Sequence, residues 1–320
     1  MRLHTAPDLS SLRALWAAAE PALASCFQSF EFARSWSEVY FPRGVAALVV
    51  QDAATPFLLP WAARDAVLFP IGHGLFDYAD VIAAPAAAPT LVERAPALAR
   101  ALRRCGGWRR LEMHGLPGDS PFLAFWRRLA QELGAPAAIT PFSAAPQLRR
   151  NRCLATPQAL DRLHPRAAER LRAARRRGWL GPVEEEGERR AMVDWLLRQK
   201  EERMRTLGQA SVLQAAEGDW LRRIATHASS GAELWAYRRE QRLAAGFLTF
   251  LAPPLRYGYL LAFAPELAAT SPAVTLLYFV LRETIGQGLD FDFLTGEQAF
   301  KLRFANAARP LLRLQLERTP

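Results

Sequence analysis

Cysteine, histidine and lysine are scarce in this chain of 320 residues. The cysteines are Cys26, Cys105 and Cys153, and no two of them form a Cys-x-x-Cys pair. Their spacing argues against a disulfide framework or a cysteine-based zinc site and suits a reducing compartment. The five histidines have no His-x-x-x-His spacing, so we expect no metal cofactor.

Long apolar runs are also missing. No segment approaches 18 uncharged apolar residues, the length at which a membrane-spanning helix becomes a candidate. Charged residues interrupt the N-terminal segment where the apolar core of a signal peptide would lie. We therefore expect a cytoplasmic protein without a signal peptide or transmembrane segment.

Basic residues exceed acidic ones, at 41 against 31, which gives a net charge of +10. Such an excess favours anionic ligands such as a nucleotide cofactor, nucleic acid or a membrane surface. Because the basic residues are almost all arginine, coding bias is an alternative explanation. Apolar residues make up 51% of the chain and charged residues 22%, which is an ordinary globular balance. The length suggests about two domains.

The segment Gly286–Phe304, GQGLDFDFLTGEQAFKLRF, predicts a strand, a tight turn and a helix. Apolar residues alternate with acidic ones over Leu289–Leu294, as in a strand with one buried face. Thr295-Gly296 interrupts this pattern, and we expect a helix to begin at Glu297.

The charged residues of this segment are the catalytic candidates. Lys301 follows a strand-to-helix junction, where it could meet an anionic or oxyanionic ligand; a solvated lysine on a helix is the alternative. Strand alternation places Asp290 and Asp292 on one face, as candidate bases or as ordinary surface acids. Glu297 is either a third candidate base or a residue that complements the helix dipole.

The sequence DFDFLTGEQAFK resembles the C-terminal signature of GNAT-superfamily acetyltransferases, specifically the cellulose-biosynthesis CelD-like group, which is similar to the Fem peptidyltransferases. Further segments fit the family in order: FQSFEFARSW, DYADVIAAP, LEMHGLPGDSP, the basic stretch Arg166–Trp179, and SPAVTLLYF. The resemblance covers nearly the whole chain. It implies an N-acyltransferase that takes its acyl group from acetyl-CoA or another acyl-CoA. The implied acceptor is an amine, such as an amino sugar or an exopolysaccharide precursor.

The two halves of the chain repeat one order of elements: helices, three strands, a crossover helix, a strand and a helix. Residues 46–133 carry the first copy and residues 233–304 the second, with little sequence identity, so coincidence in a mixed chain is the alternative. Fem-like proteins contain two tandem GNAT folds, so the resemblance supports the repeat. We expect an α/β protein with mixed sheets, formed by two GNAT-like domains packed together. The expected domains are residues 1–145 and 146–320, with the boundary near Ala145.

The best anion site in the sequence is Thr270-Ser271-Pro272-Ala273. Ser271 suits an N-cap and Pro272 the first helical position, so free N–H groups would face the pyrophosphate of a cofactor. We expect Thr270, Ser271, Ala273 and Val274 to bind the cofactor; a plain helix cap is the alternative. The sequence departs from the family here. The common Arg/Gln-x-x-Gly-x-Gly/Ala loop is absent, and Ala273 stands where relatives usually carry glycine.

Acceptor binding is assigned to His73 and Asp77 in the segment GHGLFDYAD and to Arg170. His73 could instead be a hydrogen-bonded histidine in a turn. Arg170 lies in the basic helix Arg166–Arg177, which is predicted either to contact phosphates of a cofactor, a nucleotide-linked acceptor or RNA, or to be a solvated face.

Family members often use a tyrosine to protonate the leaving thiolate. This chain has Phe300-Lys301 where relatives often have Tyr-Lys, so Tyr257, Tyr259 and Tyr278 are the substitutes to test. Two alternative functions stay open. One is a Fem-like aminoacyl transferase that uses aminoacyl-tRNA; outside that case we expect no nucleic-acid partner. The other is a catalytically degenerate GNAT module in a polysaccharide-synthesis assembly.

Overall fold

The computed structural model describes residues 2–4, 9–19, 25–51, 57–135, 138–209 and 215–318. The chain divides into two compact units. The first unit is Met1–Ala144 together with Arg309–Pro320, and the second is Ala145–Ala308. The predicted α/β class with mixed sheets is confirmed.

The first unit is built from three antiparallel strands, a crossover helix and a parallel strand. Its helices and strands are β1 Arg2–His4, α1 Arg13–Ala19, α2 Phe30–Tyr40, β2 Ala46–Gln51, β3 Phe57–Arg64, β4 Val67–Pro70, β5 Ile82–Ala83, α3 Ala88–Arg104, β6 Arg110–Pro117, α4 Leu123–Glu132, the start of β7 Ile139–Leu148, and most of β13 Ala307–Glu317. The strands follow the order β1-β2-β3-β4-β6-β13, with β5 paired to β3. Strand β4 is parallel to β6, so the connection between them carries α3.

The second unit repeats this plan. Its elements are the end of β7, α5 Pro157–Leu163, α6 Pro165–Arg177, β8 Gly178–Pro182, α7 Glu186–Thr206, α8 Ala215–Thr226, β9 Ala232–Arg239, β10 Arg242–Ala252, β11 Leu255–Phe263, α9 Pro272–Gly286, β12 Asp290–Asp292, α10 Ala299–Leu302 and the start of β13. The strand order is β7-β12-β11-β10-β9-β8. Strand β11 is parallel to β12, and α9 is the crossover helix. The repeated order of elements that the sequence predicts is therefore present.

The last strand of each copy lies with the other copy. Strand β7 follows α4 of the first unit, but its end pairs antiparallel with β12 of the second. Strand β13 follows α10 of the second unit, but it pairs antiparallel with β6 of the first. The expected second domain, residues 146–320, therefore needs a correction at its end, because Arg309–Pro320 belong to the first unit.

The core of the first unit contains a buried carboxyl group. Asp80 accepts hydrogen bonds from the Val81 backbone N–H, the Ser120 hydroxyl and the Trp126 indole N–H. Burial raises the pKa of Asp80 to about 6, although these hydrogen bonds and the charge of Arg309 act in the opposite direction. Asp80 therefore anchors the DYADVIAAP segment against α4.

The raised pKa of Asp80 gives a stability that depends on pH. The folded chain binds the Asp80 proton more tightly than the unfolded chain, whose carboxyl has a pKa near 3.8. This contribution is complete below that lower pKa and is lost as the pH rises through about 6, a change of up to about 3 kcal/mol. In urea unfolding from pH 4 to pH 7, we expect the stability of Asp80→Asn relative to wild type to rise with pH. Exposed Asp65→Asn is the control, and parallel curves for wild type and Asp80→Asn would contradict the prediction.

In the described ranges no helix is long and apolar enough to cross a membrane.

Candidate functional site

Two parallel strands of the second unit separate after a short pairing, and this leaves an opening between them. Strands β11 and β12 pair at Leu255–Tyr257 with Asp290–Asp292. Strand β11 then continues to Phe263, whereas β12 ends at Asp292. The next residue, Phe293, donates its N–H to the Pro146 carbonyl of β7 at 3.0 Å. The chain thus follows β7 away from β11, and residues 258–263 of β11 have no strand partner on that edge among the described residues.

A β-bulge lies where the strands separate. Leu248 of β10 pairs with Leu260, but the next residue, Thr249, pairs with Gly258. Tyr259 is therefore the extra residue on β11, and its ring makes edge contacts with Trp220 of α8. A bulge bends its strand and increases the local twist, which turns the second half of β11 away from the direction of β12.

The closed end of the opening is fixed by a buried arginine. Arg256 is fully buried. Its guanidinium donates to both carboxylate oxygens of Glu233 at 2.6 and 2.9 Å, to the Thr284 hydroxyl at 2.7 Å and to the Gln287 side chain at 2.8 Å. The cation also lies 5.1 Å from the ring centre of Trp235. These contacts tie β11 to β9 and α9. Sequence reasoning missed Arg256, because nothing local marks it as buried.

The loop after β12 is held by Asp292 and Lys301, two predicted site residues. Asp292 is fully buried and accepts hydrogen bonds from the Gln147 side chain at 2.6 Å and the Leu294 N–H at 2.7 Å. The Lys301 ammonium donates to the carbonyls of Leu294 and Thr295 at 3.3 and 2.7 Å. The structure therefore brings Asp292 and Lys301 to one turn. Two alternatives from the sequence are therefore excluded. Asp292 is not a surface acid, and Lys301 is not a solvated lysine.

Glu297 does not join this pair. It is exposed and precedes the helix, so the predicted helix start at Glu297 is wrong. Helix α10 is a single turn, Ala299–Leu302, with Gln298 at its N-cap. The loop extends further than expected because Gly296 has a φ of 104°, a left-handed conformation that interrupts regular structure.

The N-terminus of α9 follows β11 through a 3-10 turn. Ser271 precedes the helix, but its side chain makes no capping hydrogen bond, so the predicted side-chain cap is wrong. Its φ of 52° and ψ of 52° are left-handed, and its carbonyl accepts from Thr275 instead. The half-exposed residues Ala273 and Val274 form the first turn. Their N–H groups consequently lack a side-chain acceptor and can meet an anion.

The predicted acceptor residues are divided between the two units. His73 and Asp77 belong to the first unit. The His73 ring packs 5.2 Å from His114 and 5.4 Å from Phe69, and burial, followed by the charge of His114, lowers its pKa. Arg170 is exposed on α6 of the second unit. Their role in acceptor binding stays a prediction.

Of the three candidate tyrosines, Tyr278 already forms a side-chain hydrogen bond. Its hydroxyl donates to Asp161 at 2.7 Å, and burial together with that carboxylate raises its pKa. Such a phenol is an unsuitable acid for a thiolate, so Tyr257 and Tyr259 remain. In the described part of the chain no group of three or more His, Cys, Asp or Glu residues could hold a metal ion.

Comparison with known proteins finds a family model that matches part of the second unit. Residues 165–302, from α6 to α10, match the family model of the acetyltransferase (GNAT) domain. This range includes the opening, the α9 terminus and Lys301. No curated protein matches the sequence.

Solved structures share the fold over almost the whole chain. FemX has 10% identity and a TM-score of 0.63, with 98% of this chain and 97% of that chain covered. The C-terminal domain of a putative lysylphosphatidylglycerol synthetase from Agrobacterium fabrum has 12% identity and a TM-score of 0.57, covering 95% and 91%. A GNAT-family acetyltransferase from Colwellia psychrerythraea has 12% identity and a TM-score of 0.51, covering 98% and 99%. At these identities the likeness is one of fold.

Proposed function

We propose that the chain is an acyl-CoA-dependent N-acyltransferase whose active site is the opening between β11 and β12. The observation that carries the proposal is the position of this opening. An unpaired strand edge lies on one side, and β11 leads through a short turn to the uncapped N-terminus of α9. The GNAT match covers both features. We further propose that each unit is a GNAT-like domain and that the reaction takes place in the cytosol.

The chain offers two complementary groups to an acyl-CoA. The free backbone edge of residues 258–263 suits the amide groups of a pantetheine arm, as an added strand would. The first turn of α9, with Thr270, Ser271, Ala273 and Val274, suits the pyrophosphate, because its N–H groups and the helix dipole favour negative charge. Acetyl-CoA is the simplest donor consistent with this arrangement.

The chemistry that fits is direct attack of an amine on the thioester carbonyl. The nitrogen–carbon bond forms, the carbon–sulfur bond breaks, the amine loses a proton and the sulfur leaves as a thiolate. Backbone N–H groups along β11 would polarise the carbonyl. Asp292 and Glu297 are the candidate bases, and Tyr257 and Tyr259 the candidate thiolate acids. An amino sugar or exopolysaccharide precursor remains the acceptor that the CelD-like resemblance favours.

A charge at Ser271 tests the pyrophosphate site. Acetyl-CoA should raise the melting temperature of the wild-type chain, because it binds only the folded state. Ser271→Asp should abolish this shift by placing a carboxylate beside the pyrophosphate. The matched control is Ser229→Asp, since Ser229 is exposed in the turn before β9. Differential scanning fluorimetry measures all three proteins, and an equal shift in Ser271→Asp would move the pyrophosphate elsewhere.

A second candidate function is aminoacyl transfer from tRNA. The observation that favours it is helix α6, whose six arginines, at positions 166, 170, 172, 175, 176 and 177, are all exposed. A charged surface of this kind suits a phosphate backbone. Binding of aminoacyl-tRNA that weakens steeply with salt, without any acetyl-CoA binding, would favour this candidate. Binding of neither donor would favour the degenerate module.

A further inference from the structure

Helix α7 carries polar residues where its core-facing stripe continues. Met192, Val193, Leu196 and Leu197 are buried along one side of the helix. The spacing of three and four residues that defines this side leads next to Gln199 and Lys200. Both are partly buried. A helix that served only to cover the sheet would have apolar residues at these two positions.

Neither polar side chain has a partner in the described part of the chain. The Gln199 Oε1 atom is buried and accepts no hydrogen bond. Lys200 is half-buried, and its ammonium makes no hydrogen bond or ion pair with a described residue. Burial and, secondly, the charge of Arg203 lower its pKa. An unpaired buried carbonyl and a partly desolvated ammonium both cost folding free energy, so their presence needs a reason outside the fold.

The path of α7 places these two residues over the second half of β11. Near its start, Arg189 donates to the carbonyl of Ala232, the first residue of β9. In the middle of α7, the Met192, Trp195 and Leu196 side chains cover Gly246 of β10 so closely that a Cβ there would lie 2.9 to 3.1 Å from them.

Gly246 is paired with Ala262 of β11, which lies beyond the point where β12 leaves. One further helical turn, about 5 Å, brings α7 to Gln199 and Lys200. The helix also packs on β11 itself. The unpartnered pair therefore lies on the α7 face of the sheet, near the end of β11 that does not pair with β12.

We infer that Gln199 and Lys200 form the acceptor subsite, and that the acceptor is an amine that also carries a carboxylate or phosphate group. This inference rests on the proposed function. The Gln199 carbonyl accepts a hydrogen from the acceptor nitrogen and orients it. The Lys200 ammonium, a compact point charge on a flexible stem, binds the acidic group. A ligand that supplies both groups removes both of the costs that the fold carries alone.

Lysine NMR gives a direct test, because Lys200 and Lys301 are the only lysines. Selective ¹³C-lysine labelling should yield two side-chain signals, which Lys200→Met assigns. The probes are ethanolamine, β-alanine and phosphoethanolamine, which share an amine but differ in the acidic group. We expect β-alanine or phosphoethanolamine to shift the Lys200 signal saturably, and ethanolamine to bind about tenfold more weakly or worse. The stronger of the two acidic probes identifies carboxylate or phosphate as the group bound.

Substitution separates this role from a structural one. Gln199→Leu should weaken binding of the acidic amine about fivefold, the effect of one hydrogen bond. It should also raise the melting temperature by roughly 2 °C, because it removes an unpaired carbonyl from the core stripe. A structural residue would instead lower the melting temperature.

The inference would be overturned if neither acidic amine shifts the Lys200 signal. It would also be overturned if the Lys200 and Lys301 signals shift equally. The acetyl-CoA melting shift is measured in the same proteins. If that shift is present and the acidic amines fail to bind, only the acceptor subsite is wrong. If acetyl-CoA also fails, the proposed function falls with it.

Discussion

Replacing Lys301 with alanine is expected to lower turnover about a hundredfold while acetyl-CoA binding stays near the wild-type value. The Lys301 ammonium is bound to the carbonyls of Leu294 and Thr295, so its role is to position the turn that follows β12. Leu294 has a left-handed φ of 59°, which a non-glycine residue keeps only when its surroundings impose it. Release of this turn misplaces one wall of the opening, and a misplacement of about 1 Å can cost a hundredfold in rate.

The control variants separate the effect of the position of the Lys301 ammonium from the effect of its charge. Lys301→Arg should rescue turnover poorly, because a planar guanidinium fork cannot replace a compact ammonium between two carbonyls. Arg303→Ala removes an exposed charge two residues away and should leave turnover unchanged. Steady-state thiol release with the first amine that supports turnover gives kcat and KM for all three. Near wild-type kcat in Lys301→Ala would remove Lys301 from the site.

Replacing Arg256 with methionine is expected to lower the free energy of unfolding by about 3 to 5 kcal/mol, the usual cost of breaking a buried ion pair. Arg256 is fully buried, and its substitution deprives Glu233, Thr284 and Gln287 of a donor. Glu233 is affected most, because among the described residues it keeps only the Thr249 hydroxyl as a side-chain donor, at 3.0 Å. Chemical denaturation monitored by tryptophan fluorescence measures the loss.

Arg222 supplies the matched control for Arg256. It also pairs with a carboxylate, that of Asp194, at 2.7 Å, but its side chain is 50% exposed and that of Asp194 44%. Exposed pairs contribute at most about 1 kcal/mol, so Arg222→Met should change stability little. A similar loss of unfolding free energy in the two variants would mean that burial does not determine how much Arg256 contributes to stability.

The elements predicted well from the sequence are those whose pattern is local. Helix α9, expected to begin at Pro272, spans Pro272–Gly286, because a Ser-Pro start and a glycine end mark it. Helix α6, expected over 166–177, spans Pro165–Arg177, because its small apolar stripe separates clearly from its arginines. In both cases the residues that define the element lie within it.

The sequence does not show that the last strand of each copy, β7 or β13, pairs with a strand of the other copy. Prolines flank the expected boundary near Ala145 and argue against a strand there, yet Pro141 and Pro146 lie inside β7. Pro310 likewise lies inside β13. Proline removes a donor but keeps its carbonyl, and the Pro146 carbonyl accepts the bond from Phe293 that opens the site. The partners of these strands are more than a hundred residues away, so no local pattern marks them.

The sequence suggests where the proposed site lies, but not the contacts within it. The sequence brings attention to Asp292, Lys301 and the start of α9, and all three border the opening. Their contacts depend on distant residues, such as Gln147 beside Asp292. The predicted side-chain cap of Ser271 is absent because the backbone there is left-handed. Gln199 does carry a signal in the sequence, because a polar residue at a core position of a helix departs from the expected pattern.

The most direct test of the central claim is isothermal titration calorimetry of acyl-CoAs into the wild-type chain. The proposal predicts saturable binding of acetyl-CoA or a longer acyl-CoA with one site per chain. The affinity should be at least about tenfold weaker in Ser271→Asp and unchanged in Ser229→Asp. Absence of binding by every acyl-CoA tested, with the chain folded, would contradict an acyl-CoA-dependent transferase.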